Sequence, residues 1–178
     1  MATQIVYETH SLSEDNEHRR ATGWLDGRLS EEGRRQAARL GERRRRDDLS
    51  AVFSSDLGRA RETVAIAFAG STSPVLLDWR LRECDYGLLN GRPSDEVHGD
   101  RLAHLDQPYP GGESWRQAVE RVRGFLDDLR LRWDGRRVLV VGHAATRWAL
   151  EHWVGGVPLE TSLVAEFEWQ EGWEYRWG

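Results

Sequence analysis

Two histidines close apolar runs at opposite ends of the chain, His10 in VYETH and His143 in VLVVGH. A third apolar run closes at Ser54-Ser55, and Arg59 follows it within about a helical turn. If these runs are neighbouring parallel strands, their carboxyl ends meet at one edge of the sheet, beside helix N-termini with free backbone N–H groups. Two imidazoles, a guanidinium and such N–H groups make a site for a dianion such as a phosphoryl group.

The elements that would carry these residues can be read in chain order. Residues 5–7 form a short buried strand that ends near Thr9 and releases His10 into a polar loop. Glu8 lies within that strand, and a carboxylate placed there needs a partner, so a buried pair with an arginine is expected. Ser30 reads as the N-cap of a first helix with Ala37, Leu40 and Gly41 on its inner face. Residues 51–53 form a second strand, and Asp56 is expected to cap a second helix running to about Phe68. Residues 75–77 form a third strand. Residues 78–112 are rich in Gly, Pro, Asp and His and are expected to be loops over a site. Ser114 opens the longest helix, to about Trp133, with Val119, Val122, Phe125, Leu126 and Leu129 at helical spacing. The strand over 137–141 ends in Gly142-His143, and a helix to about Val154 follows. Residues 163–169 and 173–177 read as a hairpin turning at Glu171-Gly172. Alternating strands and helices predict an α/β fold, a three-layer α/β/α sandwich with a mostly parallel central sheet, in a single domain over 1–178.

Composition narrows the function. At 178 residues, with 39% hydrophobic and 31% charged residues, the chain is expected to fold as one globular unit. No apolar run nears the roughly 20 residues of a membrane span, and the first ten residues do not read as a signal peptide, so a cytoplasmic protein without membrane contact is expected. Cys84 is the only cysteine, which excludes an internal disulfide and any multi-cysteine metal site. All 25 basic residues are arginine, yet the net charge is −5, which argues against a nucleic-acid binder. The arginine run at 43–46 reads as a solvated helix end. Most of the nine tryptophans read as core, with Trp24 and Trp115 left open because they fall in site loops. Exposed tryptophans in the last hairpin would offer a dimer edge.

Six blocks of the chain, in order, resemble the histidine phosphatase superfamily, the phosphoglycerate mutase-like proteins. The opening Arg-His-Gly motif with its downstream Asn maps onto Thr9-His10-Ser11 and Asn16. Thr22, Gly23, Trp24, Asp26, Leu29, Ser30 and Gly33 match the next block, and Ser54, Ser55, Leu57, Arg59, Ala60 and Thr63 the third. Leu81-Arg82-Glu83 with Tyr86-Gly87 and Gly91, then Gly112-Glu113-Ser114, and finally His143 complete the series. Thr9 replaces the family's arginine, Ser11 its glycine, and Ala144 the glycine after the second histidine. Because an arginine in a desolvated phosphate pocket contributes about 1.5 to 3 kcal/mol per charged hydrogen bond, another cation is expected to substitute. The candidates are Arg147, in the helix after His143, and Arg19, Arg20, Arg28 and Arg82 from loops.

The resemblance implies a metal-free hydrolysis of a small phosphorylated substrate, with no cofactor. His10 would attack phosphorus to form a phosphohistidine, while Arg59 and His143 hold the equatorial oxygens. Glu83 would protonate the leaving oxygen and then activate water. Thr9, Asn16, Thr22, Gly23, Tyr86, Ala144 and Arg147 would line the substrate side. Mutases of the family carry a long insertion after the Glu83 block; here only about twenty residues separate Gly91 from Gly111, which favours hydrolysis. The alternative is a member that binds a phosphorylated or other anionic ligand without turnover, or one recruited to specialised metabolism.

Overall fold

A computed structural model describes all residues, 1–178. The apolar runs form four parallel strands, β1 (Thr3–Thr9), β2 (Ala51–Ser54), β3 (Val75–Leu77) and β4 (Arg137–Gly142), with β5 (Trp173–Trp177) antiparallel to β1. The helices in chain order are α1 (Glu14–Glu17), α2 (Glu31–Arg44), α3 (Gly58–Ala67), α4 (Ser94–His98), α5 (Trp115–Arg132), α6 (Ala144–Trp153) and α7 (Leu159–Val164). The strand order is β3-β2-β4-β1-β5. The first and fourth strands, far apart in sequence, are therefore central neighbours, with Thr9 opposite Gly142. That register sets His10 beside His143, and the His10 N–H donates to the Gly142 carbonyl at 3.0 Å.

The inner strands β1, β2 and β4 are buried on both faces, which is why they read as continuous apolar runs, whereas β3 and β5 at the edges of the sheet are largely exposed. Ile5, Tyr7, Phe53, Val138 and Val140 pack on one side with α5 (Trp115–Arg132) and α6 (Ala144–Trp153). Val6, Val52, Leu139 and Val141 pack on the other with Val64 of α3 (Gly58–Ala67). The helix α2 (Glu31–Arg44) lies against α3, and Gly41 permits the approach: a Cβ there would stand 2.2 Å from the Ala67 carbonyl oxygen. Ser30 and Ser114 cap α2 and α5 through side-chain bonds to Gly33 and Gln117, the caps read from sequence.

Four local expectations change. The last hairpin does not form: residues 159–164 make a helix, opened by Pro158, with Leu159, Ser162 and Leu163 buried at helical spacing. Trp173–Trp177 pairs with the free edge of β1 instead and becomes the terminal strand of the sheet. Asp56 does not cap α3, whose N-cap Leu57 makes no side-chain bond; its carboxylate takes Arg82 through two bonds of 2.7 Å. The 43–46 run is not wholly solvated, because Arg43 and Arg44 turn back to Glu8. Trp115 and Trp148 are core, whereas Trp79 and Trp169 are more than half exposed.

Candidate functional site

His10 and His143 leave adjacent strand ends with ring centroids 5.0 Å apart. Arg59, the second residue of α3, reaches both rings and is 2% exposed and without a carboxylate in ion-pair contact. Its five N–H bonds are all used: Nε donates to His10 Nε2 at 3.4 Å, and one Nη2 bond to His143 Nδ1 at 3.3 Å. The others go to the carbonyls of Gly23 (3.0 Å), Leu25 (2.8 Å) and Asp26 (3.2 Å). Dipoles hold the guanidinium here, so its charge is not cancelled.

These bonds fix which nitrogens carry protons. His10 Nδ1 lies 2.7 Å from the Ser11 carbonyl and donates to it, which leaves a lone pair on Nε2. Burial, and then the charge of Arg59, lower the His10 pKa to about 3, so the ring is neutral. His143 is pushed below the ordinary histidine range by burial, then Arg59 and His10. Its Nδ1 accepts from Arg59, so Nε2 bears the proton, and that buried Nε2 has no hydrogen-bond partner. The Tyr7 hydroxyl fixes the chain at this point by donating to the His143 carbonyl at 2.7 Å.

Glu83 approaches from the loop that crosses the sheet edge. Its Oε1 accepts from the backbone N–H of Cys84 at 2.9 Å and of Ala145, in the first turn of α6, at 3.1 Å. A cavity of about 810 Å³ opens over the cluster and is lined by His10, His143, Glu83, Thr9, Asn16 and Ala144, among others. Asn16 accepts from Ser13 through Oδ1, which turns its amide N–H groups away from that contact. No group of three or more His, Cys, Asp or Glu side chains is arranged to hold a metal ion.

The structure sets four expected lining residues outside the cavity wall. Tyr86 is 2% exposed and packs edge-on against Tyr109 and Trp115. Thr22 is buried, and Gly23 serves by its carbonyl to Arg59 and by a φ of +55° that packs it against Asn90. Arg147 donates to Tyr175 and Glu151 and lies over the Trp173 ring, so it does not substitute at Thr9. Arg28 and Arg82 are likewise engaged, with Glu14 and Asp56. Arg19 and Arg20 do line the cavity, joined by Arg39, Arg43 and Arg101, which sequence reasoning missed. The only signal for Arg101 was its place in the loop-rich stretch; nothing in the sequence separated Arg39 and Arg43 from twenty other arginines.

A mostly parallel sheet gathers two neutral histidines and an arginine without an ion-pair partner at its carboxyl edge, an arrangement chemically suited to a phosphoryl-like anion. The family model of the histidine phosphatase superfamily (branch 1) matches residues 9–168, and the chain belongs to that superfamily. It is 33% identical over 163 residues to a probable phosphoglycerate mutase GpmB of Cronobacter sakazakii, covering 87% of this chain and 76% of the relative. Its fold matches Bacillus stearothermophilus YhfR with a TM-score of 0.83 at 30% identity, covering 96% of this chain and 88% of that one. It also matches a mycobacterial glucosyl-3-phosphoglycerate phosphatase complexed with VO3, TM-score 0.79 at 29% identity, over 92% and 87% of the two chains.

Proposed function

We propose that the protein is a metal-independent phosphomonoester hydrolase that acts on a small phosphorylated metabolite through a phosphohistidine on His10. The observation that carries this reading is the neutral His10 ring, with its Nε2 lone pair in contact with Arg59 at the wall of a cavity.

In the first step Nε2 attacks phosphorus, and the bond to the ester oxygen breaks with its electron pair leaving on that oxygen. Arg59 exchanges its long 3.4 Å bond to Nε2 for one to the phosphoryl group, and the unused His143 Nε2–H donates to a second oxygen. Glu83 gives its proton to the departing oxygen. In the second step the Glu83 carboxylate takes a proton from water, whose oxygen attacks phosphorus, breaks the N–P bond and frees phosphate.

The 810 Å³ cavity is far larger than a phosphoryl group and falls in the range of small-molecule sites, roughly 300 to 1,000 Å³. Five arginines against Glu8, Glu83 and Glu171 make its lining positive in a chain of net charge −5, which suits an anionic metabolite. The segment between Gly91 and Gly111 holds only a five-residue helix and a 3-10 turn, which leaves the phosphohistidine open to water and favours hydrolysis over phosphoryl return.

The test is hydrolysis of 4-nitrophenyl phosphate between pH 4 and 9, with His10→Ala beside it and acid-labile phosphate on the denatured protein as a second readout. Turnover and labelling, both lost in His10→Ala, are expected. Vanadate that stabilises the fold without turnover of any ester would replace this reading with ligand binding.

A further inference from the structure

The loop that carries Glu83 is gripped by its backbone. Four consecutive carbonyls, of Arg80, Leu81, Arg82 and Glu83, each accept from a side chain of a distant helix. Arg121 of α5 donates through Nη1 to Arg80 (2.8 Å) and Arg82 (2.9 Å), and through Nη2 to Glu83 (2.7 Å). Thr146 of α6 donates to Leu81 at 2.9 Å. The indole N–H of Trp24 makes a second bond to the Glu83 carbonyl, also at 2.7 Å.

Arg121 is held in turn. Its side chain is 8% exposed, and Glu113 takes its Nε and Nη2 at 2.8 and 2.9 Å. The same Glu113 carboxylate accepts the Asp85 N–H at 3.1 Å, fixing the loop just beyond Glu83. The Trp24 ring lies near both the Arg82 and Arg121 guanidinium groups, at 4.8 and 5.8 Å. A planar fork can serve three carbonyls and a carboxylate at once, which a lysine ammonium cannot. A buried ion pair of this kind is a poor source of stability, because desolvation offsets much of its attraction. Its geometry is what it supplies.

We propose that Arg121, assisted by Trp24, is a positioning residue that sets where the Glu83 carboxyl stands for proton transfer to the leaving oxygen. Oε1 is tied to Cys84 and Ala145, so the backbone of residue 83 determines where Oε2 points. A shift of about 1 Å at such a group costs on the order of a hundredfold in rate. This inference rests on the hydrolase reading and on Glu83 as the proton donor.

The experiment compares kcat and KM for wild type, Arg121→Lys, Trp24→Phe and Glu83→Gln on phosphate esters whose leaving groups run from 4-nitrophenol through phenol to an aliphatic alcohol. Nitrophenolate departs without a proton, whereas an alkoxide needs one. Arg121→Lys is expected to lose about threefold in kcat/KM with 4-nitrophenyl phosphate and on the order of a hundredfold with the alkyl ester, because kcat/KM reports only the steps through departure of the leaving oxygen and not the later water step that is common to the series. Trp24→Phe follows the same slope with smaller losses, and Glu83→Gln gives its steepest form. Equal losses in kcat/KM across the series overturn the proposal while the hydrolase reading stands. Should Arg121→Lys fail to fold by circular dichroism, the Trp24→Phe slope decides by the same criterion. Absence of wild-type turnover with every ester overturns both.

Discussion

Glu8 and His10 lie two residues apart at the end of β1, and alternation along the strand puts them on one face. Each meets arginine, but the arginines are balanced differently. Glu8, 2% exposed, takes Arg44 at 2.7 Å and Arg43 at 3.1 Å, and Asp47 and Glu171 pair with the same two arginines at 3.3 and 3.6 Å, so no positive charge is left over there. At His10, Arg59 has only carbonyls and imidazoles around it. The first cluster is complete as it stands, and an anion that entered would compete with Glu8. The second has no carboxylate in ion-pair contact with its arginine, Glu83 being the acidic group that acts on it most strongly, so the guanidinium remains available to a dianion that reaches His10. An arginine is thus a candidate for ligand binding by what it lacks. Arg147, bound to Glu151, belongs with the Glu8 type despite its place beside the second histidine.

Substitutions at the two clusters should separate activity from stability. Arg59→Met is expected to lower kcat/KM on the order of a hundredfold, since a charged hydrogen bond of about 1.5 to 3 kcal/mol to the phosphoryl group is lost. It should also abolish the rise in melting temperature that phosphate produces. Glu8→Gln should do the reverse, costing about 3 kcal/mol in urea unfolding by taking from Arg43 and Arg44 their buried carboxylate, with kcat/KM per folded molecule nearly unchanged. If Glu8→Gln instead removes activity without loss of stability, the two clusters act as one site.

The histidines extend the contrast to pH. His10 and His98 are lowered to about 3 and about 4, by burial first and then by Arg59 and Arg101 respectively, and His143 is lowered as well. Between those values and the ordinary 6.5 the unfolded chain binds more protons than the folded one. Stability is therefore full above pH 6.5 and falls as pH drops, by at most about 1.4 kcal/mol per pH unit for each histidine. Urea midpoints from pH 7 to 4 should show this slope, and His98→Asn should flatten it. A slope unaltered in that variant would assign acid lability to carboxylates instead. Activity should not follow His10 protonation above pH 4. The smallest effect is expected at Arg147→Ala: kcat/KM within about threefold, and a loss of about 1 kcal/mol as the Glu151 pair and the Trp173 contact disappear. A larger kinetic loss would mean that Arg147 swings into the site.

The sequence by itself determined the strand ends and what they carry. Apolar runs buried on both faces leave a continuous pattern, and His10, Arg59 and His143 sit at fixed offsets from it, as do the serine caps of α2 and α5. The buried Glu8 pair was also legible, because a carboxylate in a strand demands a partner, though not which arginines would supply it. Tertiary structure alone decided the rest. Arginine carries its charge at the end of a long stem, so where that charge lands is set by helix placement, and only the fold shows Arg43 turned to Glu8, Arg147 to Glu151, and Arg101 toward the cavity. The last strand found β1 rather than a hairpin partner because a free sheet edge offers more backbone hydrogen bonds than two isolated strands can make. Local pattern fixes where a chemical group leaves the backbone; what that group meets depends on contacts between residues far apart in the chain.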